Sequence, residues 1–406
     1  MSKKTAVPRL RFPEFAGNGD WEFVSLNSKA IKLTTKNKGG SIKRILTNSA
    51  ANGVVDQSDY FDREIINKSN IDNYFIVDKG DFVYNPRVSS TAPVGPISKN
   101  KLWKGVMSPL YTVFRFKSHN TDFYEHYFNS SFWHDYIKSI SNTGARHDRI
   151  SITSDNFMKM PVPCQREGEQ QKIADCLTSL DELIAAENNK LNILKTHKKG
   201  LMQKLFPVEG KTVPELRFPE FWDSGDWEIN LLSKICLNLN SKRIPVTEGE
   251  RKKGSTPYYG ASGIVDYVEG YIFGEVLLCV SEDGANLVAR TYPIAFTISG
   301  RTWVNNHAHV LKFDKIQTQT LVENYLNKID LTDFLTGMAQ PKLNRAKLDS
   351  IPIPLPKDEN EQHKIASTLS SIDDKITAQA KKIKTLKLHK KGLMQGLFPS
   401  AQEVFE

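Results

Sequence analysis

The chain has 406 residues, 39% of them apolar and 10% aromatic, enough for two or three domains with sizeable cores. Its formal net charge of +9 favours an acidic partner such as nucleic acid, although many proteins carry a mild basic charge for solubility alone. There is no membrane-length apolar run. The basic start "MSKKTAVPRLRFPEF" lacks the apolar core of a secretion signal, and Cys164, Cys176, Cys236 and Cys279 show no paired spacing, so a cytoplasmic protein with free thiols is expected, with no membrane, disulfide framework or metal site.

From the N-terminus, "PRLRFPEF" begins at Pro8 and "DWE" at Asp20. Both return 206 positions on, at Pro214 and Asp226, so the repeated segments span 8–22 and 214–228. The first interior follows, with strand-like runs ("YFIVDKGDFVYNPR", "KGVMSPLYTVFRFK") bounded by Gly, Asn and Asp, and a helical stretch near 121–139. Residues 1–165 thus read as a mixed α+β globular domain. Three polar loops punctuate it: 34–44 with Lys36 and Lys38, 85–91 with Arg87, and 142–149 with Arg146 and His147. Such side chains read base edges and hold phosphates. For any one loop a solvated surface is the plainer reading.

A proline-rich entry, "MPVPCQREGEQ", opens the next block, 166–210. Its apolar residues Ile173, Leu177, Leu180, Ile184, Leu191, Leu194, Leu201 and Leu205 alternate steps of four and three, interrupted by Glu187 and Lys198. That is a heptad seam on a long helix, ended by the proline of "LFP". Acidic residues lie early and lysines late, which suits the helix dipole. About 35 residues make a rod of roughly 50 Å.

The second interior, within domain 211–356, is again rich in alternating Tyr, Phe, Val and Ile, with a helical stretch near 318–336. Its polar loops are 240–254 with Lys242 and Arg243, 281–286, and 336–345 with Gln340, Lys342 and Asn344. Only the recurrence of basic loops in both interiors raises the DNA-contact reading. His307 and His309 are better read as alternating strand residues than as metal ligands, because no third ligand lies near them in sequence.

The last block, 357–406, repeats the seam with Ile365, Leu369, Ile372, Ile376, Ile383, Leu386, Leu393 and Leu397, interrupted by Gln379 and Lys390. "HKKGLMQKLFP" from His197 returns as "HKKGLMQGLFP" from His389, 192 positions on. A 3.5-residue period sustained over about five heptads, twice, favours helices paired with each other over helices packed separately on two domains. Each helix follows its own globular block, so a pseudo-two-fold arrangement makes the pair antiparallel. Glu187 and Gln379 then fall at one level, where a polar pair fixes register at some cost in stability. The frame repeats closely while the interiors do not, which suggests one scaffold role performed twice and two different recognition tasks.

No phosphate-binding glycine loop is present, and "NPR" at 85–87 is a poor echo of an amino-methyltransferase motif. "EGK" (209–211) and "ERK" (250–252) match half of a nuclease motif but fall in loops. No reaction carried out by this chain alone is legible.

The order of two variable and two fixed blocks resembles the specificity subunit of Type I restriction–modification systems. The resemblance rests on "PRLRFPEF…DWE", the proline entries with "EQQKIADCLTSLDELI" and "EQHKIASTLSSIDDKI", the paired undecapeptides, and "TGARHDRIS" and "TGMAQPKLN" upstream. It covers the whole chain. It implies two target recognition domains joined by two long antiparallel coiled-coil helices, each domain reading one half of a bipartite, asymmetric double-stranded DNA site. The helical pair would set the spacer and dock two modification subunits, which bind S-adenosylmethionine and methylate adenine. Restriction subunits using ATP and Mg²⁺ would join them, leaving this chain non-catalytic and without a cofactor. The rivals are a protein-interaction scaffold on a coiled coil, and a fused nuclease or methyltransferase.

Overall fold

Two 39-residue helices, Glu167–Leu205 and Glu359–Leu397, carry the repeated seams in a computed structural model that describes residues 5–60, 68–143, 148–337 and 340–399. Each helix begins with glutamates in its first turn, where they face the positive end of the dipole, and stops at the leucine before the Phe-Pro pair. Every seam residue, Glu187 and Gln379 included, is buried or half-buried. The chain divides into two compact units, residues 1–187 with 382–406, and residues 188–381.

In the first unit, Lys390 Nζ reaches Asp181 at 2.5 Å and Lys382 Nζ reaches Glu187 Oε1 at 2.5 Å. One partner number rises as the other falls, so the helical segments run antiparallel. In the second unit, Lys198 Nζ reaches Asp373 at 2.7 Å. Lys198–Asp373 and Lys390–Asp181 are equivalent pairs, one from each copy of the repeat. The two lysines that interrupt the apolar seam therefore clamp its edges.

The first unit carries a four-stranded antiparallel sheet in the order Ala30–Leu33, Thr112–Phe116, Phe82–Tyr84, Ile97–Lys99. Phe82, Phe114, Phe123, Trp133 and Phe157 fill the core beneath it. The second unit carries Leu237–Asn238, Ala308–Lys312, Leu277–Ser281 and Ala295–Ile298 in the corresponding order. In each, the last strand in sequence pairs between the first two, and a helix follows it, Asp122–Phe128 or Ile316–Lys328. The interiors share no sequence identity worth the name, yet they share a sheet topology.

The repeated N-terminal segments lock each unit to the start of its helix. Arg11 donates to both carboxylate oxygens of Glu169 at 2.7 and 2.8 Å, and Trp21 Nε1 donates to the same carboxylate at 3.1 Å. In the second unit Arg217 donates to Glu361 at 2.8 and 2.7 Å, and Trp227 Nε1 at 3.3 Å. Both carboxylates are buried, so "LRFPEF…DWE" and the Glu-Gln at the helix start form one structure made twice. The proline runs pair with the strand after each DWE tryptophan, Pro161–Cys164 against Trp21–Ser25 and Pro352–Leu355 against Glu228–Leu231. Prolines are tolerated there because each of these strands has a free edge.

The "LFP" ends close the units. Phe206 packs against Trp227 and Tyr325, while Phe398 packs against Trp21, Phe123 and Tyr127. The end of the chain therefore completes the core that its beginning builds. The one difference between the undecapeptides is explained here. Leu10 N–H donates to Gly396 O at 2.8 Å, and a Cβ on Gly396 would lie 2.4 Å from Leu10 Cδ1. At the equivalent place, Leu216 N–H donates to Lys204 O at 2.9 Å, and Lys204 Nζ reaches Glu215 at 3.1 Å. Arg9 stands where Glu215 stands, so lysine meets glutamate in one unit and glycine sits near arginine in the other.

His126 is buried against the first helix, with Nε2 3.0 Å from Thr178 Oγ1 and a buried Nδ1 with no hydrogen-bond partner among the described residues. Burial, and secondarily the positive charge of Lys390, pushes its pKa from 6.5 to about 4. The unfolded chain therefore takes up the proton first as pH falls. Stability of the first unit is intact above about pH 6.5 and declines from there towards pH 4, by on the order of 3 kcal/mol in the limit. Denaturant midpoints measured between about pH 7 and pH 4.5 should show this fall, and His126→Gln should flatten it. Equal slopes in the two proteins would rule the assignment out.

Candidate nucleic-acid interface

In the second unit, three loops far apart in sequence converge at one end of the sheet. Glu282 is the hub. It accepts from Arg243 Nη1 at 2.7 Å, and Lys342 Nζ lies 3.8 Å away. Its backbone N–H donates to His307 O at 2.9 Å, and its carbonyl accepts from Leu343 N–H at 2.8 Å. Lys342 bridges both Asp283 and Thr336 through its backbone. The loops carrying Lys242 and Arg243, residues 281–284, and Gln340, Lys342 and Asn344 thus form one cluster.

The roles within that cluster differ from residue to residue. Lys242 and Gln340 are exposed, and Lys342 projects with about half its side chain open. Arg243 is not free to reach a base: it is largely buried, and besides Glu282 it donates to Ala308 O at 2.8 Å and Asn240 O at 3.1 Å. Asn344 caps the helix Arg345–Asp349, accepting from Lys347 N–H at 3.0 Å. Thr153 does the same for Ser154–Met158 in the first unit, so Asn344 occupies a position whose structural duty recurs.

His309 is fully buried on its strand between Asn240 and Leu343 O, each at 2.7 Å. Burial lowers its pKa, and the hydrogen-bond network assigns the tautomer: Asn240 Oδ1 accepts from Val310 N–H, so its amide N–H donates to Nδ1 while Nε2 donates to the carbonyl. His307 pairs instead with Asp283 at 2.8 Å. Among the described residues, no group of three His, Cys, Asp or Glu side chains is placed to hold a metal ion, and no helix is long and apolar enough to cross a membrane.

In the first unit the structure brings together two of the three loops. Arg87 forms a backbone bridge with Arg149, and its Nη2 lies 3.4 Å from Asp148, leaving most of the side chain exposed. Asn85 fixes this turn, accepting from Arg87 N–H at 3.0 Å and donating to Asn48 O at 2.8 Å. Arg146 and His147 lie outside the described residues. The 34–44 loop pairs with a different segment: Lys36 bridges Phe75, and its Nζ donates to Asn73 at 3.2 Å. Asn37 is buried and clasps Ile42 through both its N–H and its carbonyl, so Lys36 and Lys38 flank it facing outward. Gly39, at φ 76°, makes the turn that follows.

Sequence reasoning passed over Glu282, whose role as hub depends on partners 39 and 60 residues away. It marked Lys198 and Lys390 of the undecapeptides as interruptions of the seams but not their carboxylate partners, Asp373 and Asp181.

The sequence model of the family described as Type I restriction modification DNA specificity domain matches residues 18–196 and 224–388. A putative type I restriction enzyme specificity subunit from Haemophilus influenzae is 35% identical over 134 residues, 33% of this chain and 34% of that protein. That match spans about a third of its length. The type I restriction enzyme MjaVIII specificity subunit of Methanocaldococcus jannaschii is 26% identical over 327 residues, 72% of this chain and 73% of that one. Among solved structures, the S subunit of a Type I restriction–modification system from M. genitalium aligns with TM-score 0.63 at 14% identity, over 97% of this chain and 100% of that one. A chain from a type I system studied for its complex assembly and conformational transition aligns with TM-score 0.54 at 13% identity, over 94% and 98%. At those identities the structural likeness is one of fold.

Proposed function

We propose a function from one premise: this chain belongs to the Type I restriction–modification DNA specificity family. It is a sequence-specific, non-catalytic DNA reader of the cytoplasm. Each unit reads one half of a bipartite, asymmetric double-stranded site, and the helical pair sets the spacer and docks two modification subunits. Restriction subunits join that assembly, and S-adenosylmethionine, ATP and Mg²⁺ belong to the partners. The observation that carries this is the pairing of one sheet topology with two unlike sets of exposed basic loops. A common frame with differing loops suits two readers of different sequence. Half-sites about one helical turn, roughly 34 Å, apart are within reach of helices of this length.

The test is a methylome. The chain is expressed with its companion modification subunit in a host lacking adenine methylation, and methyladenine is mapped genome-wide. A single bipartite motif with a fixed gap is expected. No new methylation despite a soluble complex would point to the interaction scaffold, which should also lack salt-dependent DNA binding. Within the loops, Lys36→Ala or Lys38→Ala should weaken all sequences alike and shallow the salt slope by about one, whereas Arg87→Ala should relax one position of one half-site. An Arg87→Ala protein with unchanged affinity and preference removes that residue from the interface.

A further inference from the structure

A β-hairpin outside the polar loops described so far stands in each unit. In the first, Leu46–Ser49 pairs with Gly53–Asp56 around a tip of Ala50, Ala51 and Asn52. In the second, Lys253–Gly260 pairs with Gly263–Val268 around Ala261 and Ser262. The returning strands open alike, as Gly53-Val54-Val55-Asp56 and Gly263-Ile264-Val265-Asp266. Both glycines turn the chain at positive φ, 65° and 113°. Both aspartates hold an arginine: Asp56 accepts from Arg44 Nε at 3.0 and 3.1 Å, and Asp266 accepts from Arg251 Nη1 at 3.3 Å. In interiors that are otherwise so unlike, this hairpin belongs to the common frame.

The hairpins are tied to the candidate interface in the same way. Asn85 and Ser281 stand at the ends of corresponding sheet strands, Phe82–Tyr84 and Leu277–Ser281. Asn85 Nδ2 donates to Asn48 O at 2.8 Å while its Oδ1 accepts from Arg87 N–H, so one side chain holds both the hairpin and the Arg87 turn. Ser281 Oγ donates to Ala261 O, and the next residue is the hub Glu282. Asn305 adds a second tie: its N–H donates to Tyr259 O at 3.0 Å, and its Oδ1 accepts from His307 N–H at 2.8 Å. The first tip is braced from behind by buried Ser49, whose hydroxyl accepts from the N–H groups of Ala51 and Asn52 at 3.2 and 3.3 Å.

The tips differ in what they present. Asn52 and Ser262 are exposed, each directly before its turn glycine, and neither side chain makes a hydrogen bond among the described residues. The backbone of each hairpin is fixed, while the polar group at its apex contributes nothing to holding its own unit together.

We infer that the two hairpin tips read bases in the major groove, Asn52 in one half-site and Ser262 in the other. This rests on the DNA-reading function proposed above. A two-stranded ribbon fits that groove. An asparagine amide sets a donor beside an acceptor, the pattern that matches N7 and N6 of adenine, whereas a serine hydroxyl serves either kind of partner. The other tip residues are alanines, with no long side chain to hold the ribbon away from the base edges. Neither tip carries a charge, so its contribution is to the choice of sequence and not to salt-dependent affinity. One frame with a different letter at the apex is what two unlike half-sites require.

The experiment uses full-length Asn52→Ala and Ser262→Ala chains, each expressed with the modification subunit for methyladenine mapping, with duplex binding by the purified complexes measured across a salt series. Asn52→Ala should lower the preference at one position of one half-site by roughly tenfold, and Ser262→Ala at one position of the other half, with thermal midpoints and salt slopes unchanged. Motifs identical to wild type in both variants overturn the inference and leave the DNA-reading function standing. An equal loss of affinity on every sequence also overturns it, because the tips would then rest on the DNA backbone. Relaxation by one variant alone keeps that tip as a reader and overturns the assignment of the other. A wild-type chain that writes no bipartite motif fails at the DNA-reading function itself, and the inference falls with it.

Discussion

Replacing Arg217 by alanine is expected to destabilise the second unit by about 3–5 kcal/mol, because it strands a buried carboxylate. Glu361 is fully buried and accepts two hydrogen bonds from Arg217 and one from Trp227. The guanidinium is itself buried, with only 8% of its side chain exposed, so water cannot take its place when it is cut away. Arg217 also donates to Gly225 O at 2.8 Å, tying the turn before Trp227 to the helix start. Removing both members of the pair should cost less than removing one, since two apolar side chains leave no lone charge. Denaturant unfolding of Arg217→Ala beside Arg217→Met/Glu361→Met measures the difference. A single variant costing under about 1 kcal/mol would mean that the pair is not holding the helix to the domain.

Phe398→Ala should be nearly as damaging, at about 3–5 kcal/mol, and its damage should appear far from the mutated residue in sequence. The Phe398 ring is 5.3 Å from that of Phe123, 5.8 Å from Tyr127 and 6.3 Å from Trp21. All three neighbours belong to the first 130 residues. Hydrogen exchange should therefore show lost protection in peptides from 8–165, while those from 214–355 keep theirs. Protection lost only near residue 398 would mean that the ring is a passenger in that core. Phe206→Ala should produce the converse pattern through Trp227 and Tyr325.

The frame was legible in the sequence because it is written twice and its periodicity is local. A heptad seam, a proline stop and a glutamate at a helix start are read within a few residues. The partnership of Arg11 with Glu169 was not legible, although both lay inside recognised repeats, because nothing in the spacing of 158 residues shows that they touch. The common sheet of the two interiors was hidden for a related reason. Strand order depends on which long-range pairs form, and different side chains satisfy the same pairing. The candidate interface fared unevenly. The three loops of the second unit do assemble, but Arg243 and Asn344 are spoken for. An arginine offers the same fork to a buried glutamate as to a guanine, and an asparagine caps a helix with the same amide that would read adenine. Only the tertiary partner decides between those uses.

The difference between Gly396 and Lys204 has a consequence for how the molecule reaches its native state. The two helix ends are nearly identical and each carries a phenylalanine into a hydrophobic socket, so an exchange of ends is the mis-threading a duplicated chain has to avoid. If the Lys204 end entered the first socket, a Cβ would collide with Leu10 and a lysine would approach Arg9. In the reverse exchange Glu215 would lose its lysine. The mismatch is small at each end but acts at both, so a mis-threaded chain carries the penalty twice. One letter of the undecapeptide and one of the octapeptide thus distinguish the two halves of a chain built of duplicated parts.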